Sequence, residues 1–240
     1  MSTVGRRRTE KISEVLAREI VRDLRDLPPA TMLPAEAVML EKYQVGRASL
    51  REALRLLEVQ GLIVIRPGPG GGPMVAQADS THYGSISSLY YHMLGATYQD
   101  VVDARLVMEP VIARIVAERQ DPEHITLLNA FLDRLGTTDA DDYLVEATGF
   151  HTMLAGMSGN PVLYLSVRSL QEIYLERARG MMFPPEDHDR IEQEHATIAR
   201  AIIKGNAARA EQLMREHMVE YIEYSKRRAP VALEEVVGWH

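Results

Sequence analysis

The 240-residue sequence contains no cysteine. Disulfide cross-links, thiolate metal sites and a cysteine nucleophile are thereby excluded, and a reducing compartment is the natural setting. No apolar run approaches the roughly 18 residues that a membrane span requires, and the basic segment Met1 to Lys11 has no apolar stretch behind it. Neither export nor membrane insertion is expected, and the cytoplasm is the simplest location. After residue 76 the alternating apolar and polar pattern of a half-buried strand does not occur. What is present is an ordinary globular composition, 46% hydrophobic and 25% charged, in a chain of two-domain length.

The net charge of −7 conceals an asymmetry. Residues 1–76 hold 12 Lys and Arg against 9 Asp and Glu, a net +3, whereas the remainder holds 15 against 25, a net −10. A small basic excess is a weak pointer to nucleic acid on its own, so the order of elements has to carry the argument. From Thr9 to Leu27, Ile12, Val15, Leu16, Ile20 and Leu24 recur at helical spacing, and Pro28-Pro29 end the helix. A short second helix is expected from Ala35 to Tyr43, with Val38, Met39 and the Lys42–Tyr43 pair spaced for one buried face. Gln44-Val45-Gly46 then turns the chain. The third helix, Arg47 to Gln60, places Leu50, Leu54 and Leu57 on one stripe and Arg47, Arg51 and Arg55 on another. Gly61 ends it, Leu62–Ile65 has strand character, and the run Arg66 to Gly72 followed by Pro73-Met74-Val75 predicts a β-hairpin wing.

Helix, turn, arginine-bearing helix and glycine-rich hairpin, in that order, predict a winged helix-turn-helix. Such a helix fits the major groove, where arginines near its start can bridge phosphates or fork onto guanine. Taken singly, an arginine stripe is a solvated face and a Gly/Pro run is a loop. A nucleotide-binding loop at Gly68–Gly72 is disfavoured because no Lys-Ser/Thr pair and no helix follow it.

The segment Leu33 to Gly72, LPAEAVMLEKYQVGRASLREALRLLEVQGLIVIRPGPGGG, resembles the N-terminal domain of the GntR family of bacterial regulators. That resemblance places DNA contacts on Arg47, Ser49 and Arg51 of the recognition helix and Gly68 of the wing, with Arg66 as a phosphate contact. It also implies a double-stranded operator and a homodimer. The chain departs from the family at Ala37, where an arginine commonly follows the glutamate that corresponds to Glu36.

Beyond a linker at 77–84, helices are expected at Ser85–Leu94, Tyr98–Arg119, Pro122–Leu135, Asp141–Met157, Pro161–Arg179, His188–Lys204 and Ala207–Lys226. The expected fold is therefore mainly α: a winged domain over 1–76, an antiparallel all-α bundle over 85–228, and a tail over 229–240. His151, His195 and His217 each sit on an apolar stripe. A single inward histidine is a core residue, but three on separate helices suit a divalent ion such as zinc or nickel. The pieces Asp103–Glu109, Phe150-His151, Ser158-Gly159-Asn160, Glu194-His195 and His217 resemble the ligand-binding domain of the FadR subfamily of the same family. By that resemblance Arg105 and Asn160 contact an effector, of which an organic acid is the class a guanidinium would favour. The alternative for Arg105 is an ion pair with Glu109 one turn on. Metal-binding members add an aspartate four residues before the first histidine, and here that position is Ala147. Glu146, one residue away, is rotated by about 100° around the helix. The reading is a ligand-responsive repressor and not an enzyme. A metal-dependent hydrolase is the rival, lacking HExxH spacing; a constitutive DNA binder is the third reading.

Overall fold

The computed structural model describes residues 11–77, 80–136, 143–178 and 185–239. Two compact units divide the chain between residues 82 and 83.

In the first unit, α1 (Ile12–Leu24), α2 (Glu36–Tyr43) and α3 (Arg47–Val59) precede β1 (Ile63–Arg66) and β2 (Gly72–Val75). The strands pair antiparallel from Ile63 opposite Val75 to Arg66 opposite Gly72, and Met32 adds a bridge to Met74. Leu16 and Ile20 of α1, Met39 of α2, and Leu50, Ala53 and Leu57 of α3 close over Ile63 and Val75. Gly61, at φ +68°, ends α3 in a double closure, Gly61 N–H to Glu58 and Leu62 N–H to Leu57, both 2.9 Å. Two expectations need correction. The buried stripe of α1 is Ser13, Leu16, Ala17 and Ile20, so Ile12 (64% exposed) and Val15 lie outside it. In α2 only Met39 is buried; Val38 is exposed, and Lys42 reaches out to Asp23 at 2.8 Å. An eight-residue helix makes just over two turns, and only its middle position points squarely at the core.

The second unit is all helical: α4 (Ser80–Leu94, which begins at the end of the first unit), α5 (Tyr98–Arg119), α6 (Pro122–Arg134), α7 (Tyr143–Met157), α8 (Pro161–Ala178), α9 (Pro185–Ile203), α10 (Ala207–Arg228) and α11 (Pro230–Glu234). Local chemistry marks the starts. Thr97 and Asp100 form a reciprocal capping box on α5, Asp121 caps α6 ahead of Pro122, and Asn206 caps α10. The two 22-residue helices α5 and α10 pack along each other, with α7, α8 and α9 against α5. One core gathers Ile112, Val116, Phe131, Phe150, Leu154, Ile198, Ile202 and Met214; a second gathers Tyr98, Val102, Leu170, Tyr174, Ile222, Leu233 and Val237. The helix expected from Ser85 starts at Ser80 and takes up much of the linker. The expected tail instead contributes α11, buries Leu233 and Val237, and pairs Glu235 with Arg177 at 2.8 Å. The expected ends at Asp141 and Arg179 lie outside the described residues. Among the described residues no helix is long and apolar enough to cross a membrane.

Candidate nucleic-acid interface and candidate metal centre

Helix α3 opens at Arg47 with no side-chain cap and no acidic residue in its first turn. Its leading amide groups and the positive end of its dipole are thus available to an anion such as a phosphate. Leu50, Ala53 and Leu57 are buried, while the Arg47, Arg51 and Arg55 side chains are 78, 71 and 75% exposed, so the packed and outward stripes separate as the spacing requires. Ser49 is half-buried and Ala37 is exposed on the first turn of α2. Glu36 faces both leading arginines, with Oε1 3.8 Å from Arg47 Nε and Oε2 3.4 Å from Arg51 Nη2. Arg66 ends β1, and Gly68 stands exposed beyond it at φ +95°. At the wing tip a Cβ on Gly71 would lie 2.2 Å from the Arg66 carbonyl oxygen. Gly71→Ala is therefore expected to splay the hairpin and to weaken DNA binding with the helices intact, a cost of about 1–3 kcal/mol. Operator titration alongside far-ultraviolet circular dichroism checks this; full affinity in the variant would deny the wing its role.

The three histidines arrive from three helices, α7, α9 and α10, and all are buried. Their candidate ligand atoms lie within 4.8 Å of one another. His217 Nε2 is 3.2 Å from His195 Nε2 and 3.3 Å from His151 Nε2. Behind two of the rings stands a carboxylate: His151 Nδ1 meets Glu109 Oε2, and His217 Nδ1 lies 2.7 Å from Glu194 Oε2. An arginine holds each carboxylate in turn, Arg105 Nε at 2.7 Å from Glu109 Oε1 and Arg190 Nη1 at 2.7 Å from Glu194 Oε1. Burial alone would raise the Glu109 pKa, but Arg105 and His151 beside it outweigh that and bring it down to about 2. Glu194 is likewise lowered, its burial outweighed by His217 and Arg190. Burial, with the neighbouring histidines, lowers His195 well below the usual range for imidazole, and burial also lowers His151.

These contacts decide the tautomers. An ionised carboxylate accepts only, so Nδ1 of His151 and of His217 must donate to it. With both rings neutral, each Nε2 carries a lone pair, and the two would face each other 3.3 Å apart. A cation at their meeting point relieves that repulsion. Tetrahedral zinc with bonds of 2.0–2.1 Å holds its nitrogens about 3.4 Å apart, close to the spacing seen. His195 completes the set, its ring stacked on Phe150 at 4.4 Å between centroids. The donor set therefore fits a divalent ion, with the carboxylates orienting two of the rings.

The triad lies at one wall of a narrow cavity whose enclosed free volume is about 30 Å3, room for a water-sized occupant, and which opens to solvent at its mouth. Arg105, Ala147, Arg190 and Tyr221 line the other walls. Arg105 is buried, pairs with Glu109, and stands 5.7 Å from the Tyr221 ring centroid, so the intrahelical pairing and a place in the cavity coexist. Asn160 is not among the lining residues. Its Oδ1 accepts from Val162 N–H at 2.9 Å and caps α8, which leaves its side chain a structural task. Arg190 and Tyr221 were not singled out by sequence; their signal was the four-residue step to Glu194 and from His217, which puts each pair on one helical face.

Residues 100–220 match the FCD domain, and residues 10–71 match the bacterial regulatory proteins of the gntR family. The HTH-type transcriptional regulator LutR of Bacillus subtilis is 26% identical over 200 residues, 80% of this chain and 90% of that protein. The HTH-type transcriptional repressor NanR of Klebsiella aerogenes is 28% identical over 218 residues, 87% of this chain and 83% of its own. A solved Streptococcus agalactiae GntR superposes with a TM-score of 0.69 at 25% identity, covering 88% of this chain and 99% of that one. With both units matched, each in the residues where the corresponding fold is observed, the chain belongs to the GntR family of bacterial DNA-binding transcriptional regulators, in the FadR-type group that carries an FCD domain.

Proposed function

We propose that the protein is a homodimeric repressor that holds a palindromic operator through α3 and the wing and releases it when a small organic acid enters the α5–α7–α9–α10 cavity. The observation that carries the ligand reading is the convergence of His151, His195 and His217 in a cavity that also receives Arg105 and Arg190. The three Nε2 atoms would hold zinc or nickel, whose bound state supplies a Lewis-acid position for a carboxylate oxygen; the arginines supply positive charge to the rest of the anion. Ala147 lines the cavity one turn before His151, so that position itself offers no carboxylate to compete with the effector. Repression is proposed by analogy with the relative NanR, a transcriptional repressor. Release requires that the ligand favour the arrangement that does not bind DNA, by about 1–3 kcal/mol in typical allosteric coupling.

The hydrolase alternative has less support. Glu109 and Glu194, the carboxylates nearest the triad, are each held between an arginine and a histidine and are poorly placed to act as a general base. A constitutive binder would show no ligand-dependent change in operator affinity.

Protein purified without a histidine tag or chelator is expected to carry near-stoichiometric zinc or nickel by elemental mass spectrometry, and a His151/His195/His217 triple alanine variant to carry none. Adding small carboxylates one by one to an operator titration is expected to find one that weakens binding. Metal-free wild-type protein, even after incubation with zinc or nickel, would overturn the metal assignment, and a panel without effect would favour the constitutive reading. Ala147→Asp is expected to tighten metal at least about 10-fold, the effect of one further well-placed interaction of about 1.4 kcal/mol, and to blunt the response to the effector. Competition with a fluorescent chelator measures the first, operator titration the second.

A further inference from the structure

A helix leaves its last carbonyl groups without partners of its own, and at the end of α3 each of them has found one. Leu56, Leu57 and Glu58 accept from the backbone N–H groups of Gln60, Leu62 and Gly61 at 3.1, 2.9 and 2.9 Å. Val59 accepts instead from a side chain distant in sequence, His82, whose Nε2 lies 3.1 Å from its carbonyl oxygen. A carbonyl oxygen only accepts, so Nε2 carries the proton. The imidazole lies over Gly61, where a Cβ would run into its Cγ and Cδ2 atoms. Gly61 thus has a second task beside its positive φ: it seats the ring. The donated N–H also meets the negative end of the α3 dipole.

His82 stands in the first turn of α4, and both groups of this contact lie in the first unit. The helix then continues without a break to Leu94, and near that end His92 Nδ1 lies 2.9 Å from the Val237 carbonyl oxygen, a contact within the second unit. One 15-residue helix is therefore tied by an imidazole to a carbonyl group near each end, once in each unit. We propose that His82 is a positioning residue for DNA recognition, the contact through which a shift of α4 reaches the helix that bears Arg47 and Arg51. It rests on the ligand-release reading above only for what sets α4 in motion. An α-helix of this length is a rod of about 22 Å, so a displacement imposed at His92 arrives at His82. There the ring on Gly61 and the bond to Val59 oblige the last turn of α3 to follow. Val59 is 61% exposed, so water can take over its carbonyl when the imidazole is removed. The contact accordingly places the helix end more than it stabilises the fold.

Hydrogen–deuterium exchange of the full-length protein, read on the peptide that covers residues 56–62, tests this without any ligand. His82→Ala is expected to speed exchange there about 2- to 10-fold, the effect of one hydrogen bond lost from a helix end, with a melting temperature close to that of the wild type. His82→Gln, whose amide nitrogen reaches as far as Nε2, is expected to restore the slow exchange. His92→Ala, at the far end of α4, is expected to speed exchange at 56–62 at least about twofold when His82 is present and to add nothing in the His82→Ala background, because the two act along one path. Unchanged exchange in His82→Ala would overturn the contact. An effect of His92→Ala that is the same in both backgrounds, or absent from both, would reduce His82 to a local cap and overturn the coupling. A panel of carboxylates without effect on operator binding would overturn the ligand-release reading and leave the exchange result standing.

Discussion

Arg47→Ala/Arg51→Ala is expected to raise the operator Kd at least about 30-fold, since each arginine of this kind supplies about 1–3 kcal/mol of specific binding. Both side chains are exposed on the outward stripe of α3, near an uncapped helix start, and removing them takes nothing from the core formed by Leu50, Ala53 and Leu57. The melting temperature should therefore stay unchanged while affinity falls. The two single variants should not add simply, because Glu36 faces both arginines; deleting one leaves the carboxylate to the other, and groups that share a partner are coupled. Salt dependence separates the roles. An arginine on a phosphate lowers the slope of log affinity against log salt by about one, whereas an arginine on a base relaxes the sequence preference at one position. Fluorescence anisotropy on an operator selected in vitro measures all of these, and an unchanged Kd in the double variant would remove α3 from the DNA interface.

Glu109→Leu is expected to destabilise the second unit by about 3–5 kcal/mol, the cost of stripping one partner from a buried ion pair. Arg105 and Glu109 are 5 and 3% exposed, and Glu109 joins the guanidinium to the His151 ring. Without the carboxylate, Arg105 keeps its charge in a buried site, and His151 loses the acceptor that fixes its tautomer. Chemical denaturation monitored by circular dichroism should show the loss, with metal affinity falling about 10- to 100-fold, as is typical when a group orienting a ligand is removed. Arg105→Met/Glu109→Leu is the informative comparison. Removing both charges restores much of the stability, since a buried pair replaced by apolar groups of similar size is often neutral, but it cannot restore the tautomer. Full stability in Glu109→Leu, or full metal affinity in the double variant, would contradict this account of the site.

Some of this was legible residue by residue. The step of three and four from Leu50 through Leu57, the arginines set off from them, and glycines at the wing tip define a winged domain locally, because each element depends on neighbours close in sequence. The helices that begin at Tyr98, Pro122 and Ala207 were placed at their observed first residue, since Thr97/Asp100, Asp121 and Asn206 mark those starts by side-chain chemistry. The start of α4 was five residues late because Ser80–Gly84 carries no such signal and is held in part by burial at Ser80 and Gly84. Val38, Ile12 and Val15 were misplaced for a related reason: apolar character says that a residue can be buried, not that a core lies on its side of the helix.

What the sequence determined by itself was the two-part organisation, the elements of each part and the side of each helix on which a histidine would stand, all consequences of periodicity and capping within about a dozen residues. Only the tertiary structure brought His151, His195 and His217 from three helices to nitrogen spacings of 3.2–3.3 Å, and only it set Glu109 and Glu194 behind two of them. It also assigned Asn160 to a helix cap and Arg190 to the cavity wall. The reason is physical. A periodic pattern states how far round a helix a side chain lies, whereas convergence of side chains 22 and 66 residues apart depends on how whole helices pack, which is settled by the fit of Phe150, Ile198, Ile202 and Met214 in a core no local segment contains.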